Sequence, residues 1–193
     1  MERALVIDHS TLIIRRAGAV VLGALLVAAA AQVSVPLPGT PVPMTLQPMA
    51  VLLVAGLLGP QLGALSMILY LAMGAAGLPV FTPTVPLVGV ARLFGPTGGY
   101  LLAYPVAAWA TGWLTPGSQP GVNKPWLGRV ALAVLVGLVL IHLGGLAQLA
   151  ILTGSISGAA QLATAPFVLG DLLKLALLVP VLAKFTPTIR ARL

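Results

Sequence analysis

Apolar residues run through this 193-residue chain in long blocks, and prolines, glycines and a few charges mark where the blocks stop. The blocks predict helices over residues 17–35, 45–58, 61–77, 96–114, 126–153 and 166–185, behind a short lead at 1–16. Pro36, Pro38, Pro41 and Pro43 end the first helix, because proline lacks the N–H that a helix interior needs. Only Gly59-Pro60 separates the second helix from the third, and Pro60 suits a first helical position, where the N–H would be unpaired anyway. A linker over 78–95 holding Pro79, Pro83, Pro86 and Arg92 precedes the fourth helix. A hydrophilic loop over 115–124 precedes the fifth, and a Gly/Ser/Ala-rich connection the sixth. Crossing a bilayer takes about 20 apolar residues, so the second and third blocks are short. The pattern predicts a bundle of six transmembrane helices; four crossings with a re-entrant pair over 45–77 is the alternative.

Composition identifies the solvent. Hydrophobic residues make up 59% of the chain and charged ones 7%, where a soluble domain carries about a quarter charged. The reading is an all-α, multi-pass protein of the cell membrane, in one integral-membrane domain without a convincing internal repeat. Arg15-Arg16 ahead of the first helix and Ala28 to Ala31 at its end could suggest a cleavable signal peptide, but in a polytopic chain that helix serves as its own insertion signal.

The net charge of +7 is no nucleic-acid signature, because the basic residues are scattered over the hydrophilic ends. Six crossings put Arg3, Arg15, Arg16, Lys124, Arg129, Lys184, Arg190 and Arg192 on one side and only Arg92 on the other, with Lys174 inside a span. The positive-inside rule then places both termini in the cytoplasm.

Against this scarcity of charge, Gly170-Asp171-Leu172-Leu173-Lys174 stands out. Asp171 is the only acid after residue 8. Residues three apart share a helix face, so its carboxylate and the Lys174 ammonium can meet. A charge at the middle of a membrane helix costs about 3 kcal/mol, which makes the pair a functional candidate by default. Counted from Pro166, Asp171 lies ~8 Å below the outer end of the last helix. Arg92 is in the loop on that same side. The three groups sum to one excess positive charge, the complement of a small monoanion such as a carboxylate. Asp171 is also a candidate N-cap, with Gly170 as a break before it. His142 reads as a histidine bonded within the bundle, since no acid stands near it in sequence. Ala24 and Ala28 give the first helix a small-xxx-small face that can pack tightly.

The chain has no cysteine and no phosphate-binding G-x-x-x-x-G-K-[ST] loop. No second acid stands beside Asp171, and no His/Cys cluster forms a metal site. Binding without covalent chemistry, metal or cofactor is the reading. An intramembrane enzyme acting on a lipid-like substrate, or a structural membrane subunit locked by Asp171 and Lys174, are the alternatives.

Five stretches then resemble one family: Gln32-Val33-Ser34-Val35-Pro36-Leu37-Pro38, Pro41-Val42-Pro43-Met44-Thr45-Leu46-Gln47, Gly74-Ala75-Ala76-Gly77-Leu78-Pro79-Val80-Phe81, Gly95-Pro96-Thr97-Gly98-Gly99-Tyr100-Leu101 and Gly170 to Lys174. In this order they resemble the BioY family, the biotin-specific S components of energy-coupling factor transporters. The resemblance implies a six-helix subunit that captures biotin from outside. It also implies a transmembrane coupling subunit and two cytoplasmic ATPases that power inward release. It assigns Arg92, Asp171 and Lys174 to the biotin site; Tyr100 and the apolar residues near Thr45 are expected to line the rest. Ala24 and Ala28 would contact the coupling subunit. Between Phe81 and Val90 the chain is more proline-rich and less glycine-rich than the family habit, which leaves the shape of the substrate lid open.

Overall fold

The apolar blocks become helices whose ends are set by proline, glycine and backbone pairing. The computed structural model describes residues 9–117 and 127–193; the expected lead up to residue 8, and Lys124 with most of its loop, lie outside the described residues. Helix α1 (His9–Gln32) is followed by β1 (Ser34–Val35), β2 (Met44–Thr45), α2 (Gln47–Leu58) and α3 (Pro60–Ala75). Then come α4 (Ala91–Phe94), α5 (Gly98–Leu114), α6 (Leu127–Thr153), α7 (Ile156–Ala163), a 3-10 turn (Ala165–Phe167) and α8 (Val168–Arg190).

Several boundaries differ from expectation for local reasons. Helix α1 is already formed at His9, ahead of the expected residue 17, because loss of apolarity marks where lipid contact would stop, not where hydrogen bonding does. It ends at Gln32, and the next residues enter a two-residue antiparallel ladder that pairs Ser34 with Thr45 and Val35 with Met44. That ladder gathers the prolines of 36–43 into one loop. Helix α8 runs on to Arg190 through Pro180 and Pro187. The Gly/Ser/Ala-rich connection contains helix α7, capped by the Ser155 Oγ, which accepts from the Gly158 N–H at 3.1 Å. Serine at an N-cap satisfies a backbone donor that the helix cannot.

Helix α2 occupies the centre and packs against α1, α3, α5, α6 and α8. Its turn into α3 needs Gly59, whose φ of 88° lies in the left-handed region. Helices α5 and α6 meet where Gly99 and Gly144 face each other, each in the space that a Cβ on the other would occupy. Helices α1 and α6 are long and apolar enough to cross a bilayer, and α7 with α8 would form a third, bent span. Large apolar side chains such as Leu22, Trp113, Leu143, Leu169 and Leu173 are more than half exposed, a surface suited to lipid.

Candidate ligand-binding site

The linker over 78–95 reaches the site through Arg92. Its prolines, at 79, 83 and 86, keep the stretch before α4 out of regular structure and leave backbone carbonyls without local donors. The Arg92 guanidinium collects them: its terminal nitrogens donate to the carbonyls of Thr82, Val85 and Leu87. Arg92 is 1% exposed, so the expected loop cation is buried. Burial lowers its pKa from the ordinary value, yet a guanidinium stays charged in a protein. Its Nε has no hydrogen-bond partner among the described residues, and neither has the buried Oγ1 of Thr97.

Helix α8 supplies the acid and the lysine. Asp171 lies in its first turn, but the N-cap position belongs to Phe167, which corrects the reading of Asp171 as a cap. Its carboxylate turns sideways instead. Oδ1 accepts from Lys174 Nζ at 2.9 Å, and Oδ2 lies 2.5 Å from His142 Nε2 on α6. The other ring nitrogen of His142, Nδ1, is 3.2 Å from the carbonyl oxygen of Ala163, which also accepts from the Tyr100 hydroxyl.

Helix α7 explains why an acid distant in sequence meets this histidine. It packs against α6 and brings Ala163 back to the level of His142, so α8 starts about 16 Å below the end of α6. His142 is bonded within the bundle, as expected; its acid was hidden because the connection was not read as a helix.

These groups line one cavity with about 550 Å³ of atom-free space, open solvent at its mouth included. Arg92 on α4, Thr97 just before α5 and Tyr100 on α5 line it, together with His142 on α6 and Asp171 and Lys174 on α8. Thr45 and Gln47 contribute from the start of α2 and the strand before it. Gln47 donates to the Tyr70 hydroxyl at 2.6 Å, which donates to the Val80 carbonyl at 3.2 Å. The structure therefore brings Arg92, Asp171, Lys174, Tyr100 and Thr45 to one place. It adds His142, Thr97 and Gln47, of which Thr97 and Gln47 lie inside the stretches that carried the resemblance.

Ala24 and Ala28 lie elsewhere. They are 0% and 8% exposed, on a helix packed against α2 and α3. In this structure the small face of α1 is covered by the chain itself, not free for another subunit. Small residues allow close approach to any helix, so the motif did not identify its partner.

Comparison with known proteins identifies the family. The family model described as "BioY family" matches residues 3–191. The chain is 39% identical over 149 residues to the probable biotin transporter BioY of Pyrococcus horikoshii, covering 76% of this chain and 80% of the relative. It is 36% identical over 150 residues to the biotin transporter BioY of Thermotoga maritima, covering 78% and 83%. A crystal structure described as the S-component for biotin from an ECF-type ABC transporter superposes with a TM-score of 0.76 at 25% identity, covering 90% of this chain and 91% of that one. The chain belongs to the BioY family.

Proposed function

We propose that this chain is the biotin-binding membrane subunit of an ECF-type uptake transporter. The whole chain would act as one unit of six crossings, termini in the cytoplasm, taking biotin from outside. One observation carries the reading: two residues that line the cavity, Arg92 and Thr97, carry polar atoms, Nε and Oγ1, with no hydrogen-bond partner among the described residues. Buried polar groups are normally paired, so these point to a ligand with polar ends. The names of the matched relatives favour binding and transport over a lipid-acting enzyme or a structural subunit.

Biotin has a ureido ring with two N–H donors and one carbonyl, an apolar thioether ring, and a valerate ending in a carboxylate. Asp171 accepts from the ureido N–H groups, and Lys174 beside it donates to the ureido carbonyl. Tyr100 and Thr45 flank the bicyclic body. The carboxylate lies towards Arg92 and Thr97, which supply one charged and one neutral donor. Because Arg92 also gathers the carbonyls of its linker, ligand and lid share one residue. Release then requires that linker to move, which is work for a coupling subunit driven by ATPases.

Equilibrium binding of labelled biotin to the purified chain in detergent tests this. Asp171→Asn is expected to weaken affinity by about 10- to 100-fold, the worth of a hydrogen bond to a charged group. If the variant keeps native affinity, the site is assigned wrongly.

A further inference from the structure

The notable feature of His142 is that both ring nitrogens face acceptors. Nδ1 is 3.2 Å from the Ala163 carbonyl, which can only accept, and Nε2 is 2.5 Å from the Asp171 carboxylate. A neutral imidazole has one N–H and one lone pair. With the proton on Nδ1, a bare Nε2 would face carboxylate oxygen. With the proton on Nε2, a bare Nδ1 would face the carbonyl. Either arrangement sets lone pair against lone pair at a half-buried ring. Only a ring carrying both protons donates to both neighbours.

We propose that His142 is a further positioning residue of the site, an imidazolium that fixes the Asp171 carboxylate for the ligand. The ligand named is biotin, so this rests on the function proposed above. A carboxylate has about four lone-pair directions. His142 takes one on Oδ2 and Lys174 one on Oδ1, which holds the carboxylate plane and leaves one direction on each oxygen for ligand N–H groups. When His142 gives its proton to solvent, one of its two contacts becomes repulsive, the ring or the carboxylate turns, and the acceptor edge is lost. Affinity for a ureido ligand therefore falls when that proton is lost.

The other groups around His142 leave that proton the clearest source of a pH slope in that affinity. From α5 it meets Tyr100, ring centroids 6.0 Å apart, whose hydroxyl is committed to Ala163. From α8 it meets Asp171, with Lys174 on the far oxygen. Helix α7 and the turn at 165–167 present no ionisable side chain, only the Ala163 carbonyl and the Phe167 ring at 6.1 Å. Arg92 lines the same cavity with its terminal nitrogens already bound to carbonyls.

The test is labelled-biotin binding to the purified full chain from about pH 5.5 to about pH 9, for the native protein, His142→Gln and His142→Phe, with thermal melting of each without ligand. Native affinity should fall about tenfold or more across the range. Gln keeps an N–H towards Asp171 but does not titrate, so its affinity should exceed that of the Phe variant and stay level with pH. A level native curve, or the native slope retained in His142→Gln, overturns the inference. NMR of 15N-histidine-labelled, ligand-free protein gives a reading independent of biotin, His142→Gln identifying the signal against His9. Both ring nitrogens should carry protons at neutral pH, and one bare nitrogen refutes the assignment. Failure of the native chain to bind biotin at any pH would strike the proposed function and, with a bare nitrogen, this inference as well.

Discussion

A buried hydroxyl with no partner costs free energy in the empty protein, and Thr97 carries one that has none among the described residues. It is 7% exposed, directly before the first turn of α5, on the wall of the cavity. Two effects of Thr97→Val should therefore have opposite sign. Removing the orphan oxygen while keeping the shape leaves the ligand-free protein as stable or up to about 1–3 kcal/mol more stable. Biotin binding should weaken, because the ligand loses a donor. Melting temperatures with and without biotin measure both at once; a destabilised empty protein, or undiminished ligand stabilisation, would show that Thr97 makes no such contact. The same contrast explains what the sequence disclosed at this scale. Asp171, Lys174 and Arg92 were legible because charge is scarce in an apolar chain and each one needs a reason. Thr97 and His142 bear no permanent charge, and their importance lies in what surrounds them.

At the scale of elements, backbone proximity decides where the site's walls stand. Tyr100 on α5 and His142 on α6 share the Ala163 carbonyl, which requires the two helices to be close. Gly99 and Gly144 permit it, one residue before Tyr100 and two after His142. A methyl at 99 would meet the Gly144 backbone, which cannot rotate away as a side chain can. Gly99→Ala is expected to destabilise the protein by about 1–3 kcal/mol through overpacking and to weaken biotin binding along with it. Gly18→Ala makes the control: a Cβ there meets nothing within 4 Å, and alanine favours a helix over glycine by about 1 kcal/mol. Equal effects of the two on melting in detergent would mean that the crossing is not tight. Long apolar helices were readable because composition alone marks them. Helix α7 was not, since its eight residues include two of Gly and Ser, and its stability comes from packing on α6 and one serine cap rather than from propensity.

For the whole molecule, the open matter is whether α2 and α3 cross the membrane or turn back within it. At 12 and 16 residues they are about 18 and 24 Å long, short of the ~30 Å hydrocarbon core. What lies around their turn favours crossing. Arg190, at the end of α8, donates to the carbonyls of Gly56 and Gly112 at 2.8 and 2.9 Å and to that of Thr115 at 2.8 Å. The α2–α3 turn thus shares a level with the C-terminal ends of α5 and α8, and with them the basic end of the chain. A re-entrant turn would stop half-way, beside the middles of those helices. The chain has no cysteine, so single cysteines can report sidedness to a membrane-impermeant maleimide. Val88→Cys, at a position 78% exposed in the linker, should label in intact cells. Gln61→Cys, at the exposed start of α3, and Thr188→Cys, near the end of α8, should label only after permeabilisation. Gln61→Cys unreactive under both conditions, with Thr188→Cys reactive, would establish a re-entrant pair, and Thr188→Cys labelled in intact cells would reverse the orientation that the positive-inside rule assigns.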